Sequence, residues 1–395
     1  MNIDPKSRIS ARAQKITSSA IREILKVTEL PHVISFAGGL PSPQTFPVER
    51  IRSACAEILA REPQAALQYG PTEGYLPLRE WVAQRCSRDG AAVSASQVLI
   101  TTGSQQALDL IAKTLVEKDR NLLVETPTYL GALQAFSLFE PNFVSVPCDE
   151  SGPIAGELAR CAAAPASAFY LLPNFQNPSG RRIPLERRRE LIDVAAQRGL
   201  LLIEDDPYGE LSYGGDRLPS LRSIYPEGVL YTGSFSKLLS PGMRVGYVVA
   251  PEAIFKKLVQ VKQAADLHTP SFTQRIVHEV IKDGFLDQHI PAIRELYAHQ
   301  CQAMLAALKQ HFPSAAHWNP PQGGMFIWVS LPPQIDTTRL LEQAIARDVA
   351  FVPGAPFFCA TPQTNTLRLS FVTVPVEKIQ TGVARLGELI AGELR

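Results

Sequence analysis

The chain has 395 residues, 45% of them hydrophobic, a composition that fits a soluble globular protein of about two domains. Lysine and arginine number 39 against 38 aspartates and glutamates, so the net charge is only +1, and nothing favours a nucleic acid or a membrane surface as partner. Residues 1–8 lack the apolar core of a signal peptide, and no later run approaches the ~20 apolar residues of a membrane span. Cys55, Cys86, Cys148, Cys161, Cys301 and Cys359 are scattered without the paired spacing of a zinc or redox site. The expectation is a cytoplasmic, reduced protein without a metal, its cysteines serving as small buried hydrophobes.

In chain order, Ser18 and Ser19 lead into a short amphipathic helix over 21–26, which the Pro- and Gly-rich residues 37–43 cannot continue. Apolar, β-rich runs then follow at 98–100, 122–124, 143–146, 169–172, 200–203, 229–231 and 245–249, with helical patterns between them at 105–116 and 185–198. Continuous hydrophobic strands of this kind belong to a mostly parallel sheet covered on both faces, hence an α/β large domain. After about residue 270 come longer helical patterns, a strand over 325–329, a helix over 338–347 and a strand over 366–371. These suggest a second, α+β domain that includes the N-terminal arm.

The run 233–247 reads Gly-Ser-Phe-Ser-Lys-Leu-Leu-Ser-Pro-Gly-Met-Arg-Val-Gly-Tyr. Lys237 offers an amine for a covalent bond to an aldehyde, and Ser234, Ser236 and Arg244 offer hydroxyls and a guanidinium for a phosphate. Those are two attachment points of pyridoxal phosphate (PLP), and the cofactor's other demands can be sought in turn. A protonated ring nitrogen needs a buried carboxylate, and Glu204-Asp205-Asp206-Pro-Tyr208 offers three acids at the end of an apolar strand, where open α/β sheets place their ligands. Asn177 and Tyr208 can donate to the phenolic oxygen, and Tyr129, just past a strand end, can stack on the ring. Thr-Thr-Gly-Ser104-Gln105 opens a helix after a strand, a place for phosphate. Arg368, inside a strand-like apolar run, has the planar fork that binds an α-carboxylate. Alone, each piece also reads as a turn, a cap or a solvated residue.

Taken together, the segments resemble the fold-type I PLP-dependent aminotransferases of class I/II, closest to the 2-aminoadipate/kynurenine aminotransferase branch that includes the bacterial lysine-biosynthesis enzymes. The likeness runs from about Ile16 to the C terminus and is most specific at 35–47, 177–180, 205–208 and 234–246. It implies an N-terminal arm and helix over 1–47 joined to a small domain over 270–395, and a large PLP-binding domain over 48–269. By the resemblance, Lys237 bonds the cofactor, Asp205 rather than Asp206 meets the ring nitrogen, and Asn177 and Tyr208 hold the phenolic oxygen. Ser104, Gln105, Ser234, Ser236 and Arg244 take the phosphate, and Tyr129 stacks. Tyr69 matches a tyrosine given to the neighbouring subunit's phosphate site, which implies a homodimer. Arg368 and the backbone at Gly39 fix the substrate α-carboxylate, Asn177 is a substrate contact as well, and Arg22 meets a distal carboxylate. Ser179 stands where threonine is common and Met243 where leucine is common; neither removes a needed group. The expected activity is ping-pong transamination between an L-amino acid (2-aminoadipate, glutamate, leucine or aromatic amino acids) and a 2-oxo acid such as 2-oxoglutarate. The alternatives are a lyase or decarboxylase on the same fold, and a ligand-sensing regulator.

Overall fold

The computed structural model describes residues 4–14, 30 and 32–394, so the expected helix over 21–26 and Arg22 lie outside the described residues. Seven strands form one sheet in the order Val98–Thr101, Gly246–Val249, Val229–Ser234, Leu202–Asp205, Ala166–Leu171, Asn121–Glu125 and Asn142–Val146. The last five run parallel to one another; Gly246–Val249 alone is reversed, antiparallel to both its neighbours. Each apolar run read from the sequence is one of these strands, its ends displaced by at most about three residues.

Parity sorts the sheet's side chains between two covered faces. Leu122, Val124, Tyr170, Ile203 and Leu230 pack with Leu108 and Ile111 of the helix Ser104–Leu115. Leu123, Phe169, Leu171, Leu202 and Val229 pack on the other face with Leu191 and Ala195 of the helix Leu185–Arg198. Burial on both faces explains why these strands read as unbroken apolar runs rather than as alternating ones.

A smaller antiparallel sheet joins His317–Trp318, Phe326–Ser330, Thr366–Ser370 and Val352–Pro353, and the helix expected at 338–347 is Thr337–Ile345. Ile34–Ser35 pairs in parallel with Val349–Ala350. The stitching continues as Phe36 N donates to Ala350 O and Ser370 N donates to Phe36 O, both at 2.8 Å. Phe36 is thereby held between Ala350 and Ser370, and residues 37–39 follow it directly. Cys301 is buried as expected; the other five cysteines are only partly so, and none forms a disulfide. Among the described residues no helix is long and apolar enough to cross a membrane.

Candidate active site

Strand parity decides which of the three consecutive acids meets the pocket. Leu202 faces the helix Leu185–Arg198, so Glu204 does too, while Ile203 and Asp205 face the opposite side. Glu204 accepts from Leu221 N at 3.0 Å and Arg222 N at 2.9 Å, which caps a short helix and takes it out of the chemistry. Asp206 accepts from Asn174 Nδ2 at 3.0 Å and Tyr231 Oη at 3.1 Å and lines a separate cavity. Asp205 alone of the three lines the pocket that contains Lys237. Register brings Thr232 directly beside Asp205, with Tyr170 beside Ile203 on the same face. Thr232 Oγ1 donates to Asp205 Oδ1 at 2.8 Å and Tyr170 Oη to Oδ2 at 2.7 Å. Burial pushes the Asp205 carboxyl up to about 6, against the pull of those two donors and with a push from the Asp206 charge.

Register also builds a candidate anion cradle, because Gly246 pairs with both Thr101 and Ser234. The turn at Gly103, the hydroxyls of Ser234 and Ser236, and Arg244 therefore converge at one end of the sheet. Gly103 has φ +77°, and a Cβ there would collide with Arg244 Nη2; a Cβ on Gly246 would stand 2.8 Å from Gly103 C and Ser104 N. Only glycine lets the two backbones and the guanidinium approach this closely. Arg244 Nη2 donates to Thr102 O at 3.2 Å, and Ser234 Oγ donates to Ser236 Oγ at 2.9 Å. Ser104 and Gln105 open the helix Ser104–Leu115 with backbone N–H groups that have no partner among the described residues, and the Gln105 side chain ties back to Gly131 O at 2.9 Å.

Two cations face this cradle and Asp205. Lys237 Nζ donates to Gly39 O at 2.8 Å. Burial, then the nearby Arg368 and Arg244 charges, hold its pKa down to about 8. Arg368 is 2% exposed, lies between the Phe326 and Phe357 rings at 4.4 and 5.4 Å, and is lowered to about 10 by burial. Its Nη1 donates to Asn177 Oδ1 at 2.8 Å and its Nη2 to Ala37 O at 2.7 Å. Among the described residues no carboxylate pairs with it, and Nε has no partner. A buried guanidinium bonded only to neutral oxygens calls for an anion. Tyr208 packs edge-on against Phe326 at 5.8 Å, and Tyr129 is half-buried at the start of the helix Leu130–Ser137.

The pocket has a volume of about 330 Å³, and Gly39, Ser104, Gln105, Tyr129, Asn177, Asp205, Tyr208, Ser234, Ser236, Lys237, Arg244 and Arg368 all line it. Tyr69 does not: it is 78% exposed outside this pocket. Tyr170, Thr232, Phe326, Phe357 and Ala37 were not read from the sequence. Their signal is the pairing of distant strands, which no local motif carries. The donor set fits PLP: a cradle too tight for a Cβ, hydroxyls and a guanidinium for phosphate, a clamped carboxylate, and an amine of lowered pKa.

A family model for aminotransferase class I and II matches residues 31–386. The chain is 47% identical to the 2-aminoadipate transaminase of Thermus thermophilus, over 97% of this chain and 96% of that one. It is 42% identical to aromatic-amino-acid aminotransferase 1 of Thermococcus litoralis, over 100% and 96%. Among solved structures, the α-aminoadipate aminotransferase of Thermus thermophilus, complexed with N-(5'-phosphopyridoxyl)-L-leucine, matches with TM-score 0.93 at 44% identity over 99% of both chains.

Proposed function

The chain belongs to the class I and II aminotransferases and is a PLP-dependent enzyme, and from that premise we propose how its residues divide the work and which substrates they take. When bound, PLP supplies an electron sink for negative charge at the substrate's α-carbon. Lys237 Nζ would hold the cofactor's aldehyde carbon and, when free, would move a proton at the substrate α-carbon. A pKa near 8 suits that work, since an appreciable neutral fraction exists close to neutral pH. Asp205, aimed by Tyr170 and Thr232, holds the proton on the ring nitrogen. Ser104, Gln105, Ser234, Ser236 and Arg244 take the phosphate; Asn177 and Tyr208 donate to the phenolic oxygen, and Tyr129 stacks on the ring. Arg368 takes the α-carboxylate, with the Gly39 backbone alongside. The single observation that carries this reading is Arg368, a buried cation with no acid beside it among the described residues, in one pocket with an amine of lowered pKa and a clamped carboxylate.

The enzyme takes L-2-aminoadipate and L-glutamate as donors and 2-oxoglutarate as acceptor, and also leucine or aromatic amino acids. Similarity to the Thermus thermophilus 2-aminoadipate transaminase supports 2-aminoadipate, and similarity to the Thermococcus litoralis aromatic-amino-acid aminotransferase supports the aromatic amino acids. Arg22, outside the described residues, meets the distal carboxylate. The working unit is a homodimer in which the exposed Tyr69 reaches the neighbouring subunit's phosphate site. A panel of amino donors compared in the parent and Arg22→Ala tests the substrate reading. Glutamate and 2-aminoadipate should lose kcat/KM by about tenfold or more while leucine holds, the size of one charge-assisted hydrogen bond. Unchanged glutamate and leucine kinetics would contradict it.

A further inference from the structure

The strap that carries Tyr69 is fastened at both ends to one carbonyl. Gly70, next to Tyr69, donates its N–H to His268 Nε2 at 3.3 Å. Nε2 is therefore the unprotonated nitrogen and Nδ1 carries the proton, which it donates to Thr269 O at 2.8 Å. The same carbonyl accepts from Gln274 Nε2 at 2.7 Å, and Gln274 Oε1 accepts from Tyr75 N at 2.7 Å. His268 also meets the Tyr69 ring edge-on, with centroids 5.7 Å apart and planes at 89°. Gly70 also packs closely on Ser271, since a Cβ there would stand 2.7 Å from Ser271 Oγ. Thr269 is itself 1% exposed, and its Oγ1 lies 3.2 Å from Oγ1 of Thr102, whose carbonyl Arg244 holds. The Tyr69 strap is thus tied to the rigid floor of its own subunit's cradle.

We propose that His268 is a positioning residue that sets the reach of Tyr69 into the neighbouring subunit's cofactor phosphate site. The proposal rests on the dimer reading above. An exposed tyrosine on a loop keeps its rotamer and backbone freedom unless something fixes both, and a hydroxyl donates well to a phosphate oxygen only within a narrow range of distance and angle. One imidazole fixes both here: Nε2 takes the strap's backbone N–H, Nδ1 anchors to Thr269, and the ring walls the tyrosine.

Mixed dimers separate this from a general packing role. One chain carries Lys237→Ala, so only the other chain's site gives the absorbance band of a lysine-bound cofactor when PLP is titrated. His268→Phe is placed on the Lys237→Ala chain, in trans to the reporting site, or on the reporting chain, in cis. The half-saturating PLP concentration should rise about tenfold more in trans than in cis, the size of one hydrogen bond to a charged group. His268→Gln in trans, which keeps an acceptor and a donor, should recover most of that loss. Equal effects in the two arrangements would overturn the proposal. Tyr69→Phe in trans is the control: if it is silent, the dimer reading falls and the brace with it, and if it acts while His268→Phe in trans does not, the brace alone falls.

Discussion

Arg368 shows at the scale of one residue what a buried charge bonded to neutral oxygens calls for. Its guanidinium is out of water, between two aromatic rings, and bonded to an amide oxygen and a carbonyl, neither of which carries charge. An α-carboxylate would convert that unpaired charge into a bidentate pair. Arg368→Gln should lower kcat/KM for every amino acid by roughly a hundredfold or more, with the far-UV circular dichroism unchanged. A loss confined to dicarboxylic donors would show that Arg368 serves another group. Arg368 was legible in the sequence because a cation inside an apolar strand is conspicuous, and Lys237 because small hydroxyl residues and an arginine crowd around it. Tyr170 and Thr232 were not, although they clamp Asp205. They sit 35 and 27 residues away along the chain, and only strand register brings them together.

At the scale of elements, the site exists because a reversed strand sits between Val98–Thr101 and the parallel set. Gly246 is thereby opposite both Thr101 and Ser234, which sets the Gly103 turn, the serines and Arg244 around one anion cradle. Gly103→Ala would force a non-glycine residue to φ +77° and displace the Arg244 guanidinium. Strain of about 1–3 kcal/mol and a cradle robbed of its arginine should weaken PLP binding at least tenfold in a cofactor titration. Unchanged affinity would mean that the phosphate sits elsewhere. The strands themselves were readable as continuous apolar runs, but their ends were not. Leu202–Asp205 and Val229–Ser234 extend through Glu204, Asp205, Thr232 and Ser234, polar residues that local pattern assigns to loops and that burial with hydrogen-bond partners keeps in the sheet.

Across the whole molecule, buried acids set a pH dependence for the cofactor-free protein. Burial raises Glu125 and Glu204 to about 7, so the folded state binds their protons more tightly than the unfolded chain does. Stability from such groups is fully present below the unfolded carboxyl range near 4.5, and it is lost as pH rises through about 7. Lys237, lowered to about 8 from 10.5, acts in the opposite sense: its burial destabilises below about 8 and is relieved as pH rises toward 10.5. Glu125→Gln removes one of the acids. Urea midpoints of the cofactor-free parent should therefore fall relative to Glu125→Gln between pH 5 and pH 8, by the equivalent of roughly 2–3 kcal/mol. A gap that stays constant with pH would show that Glu125 is not protonated in the fold.

Transamination and the lyase chemistry available to the same constellation part company when only one substrate is present. The holoenzyme mixed with L-glutamate or L-2-aminoadipate, and no 2-oxo acid, should release about one equivalent of the corresponding 2-oxo acid per Lys237 and then stop, because the amino group stays on the cofactor. Adding a second 2-oxo acid should restart product release. Continuous turnover on the amino acid alone, without any acceptor, would contradict the assignment of this site to amino-group transfer.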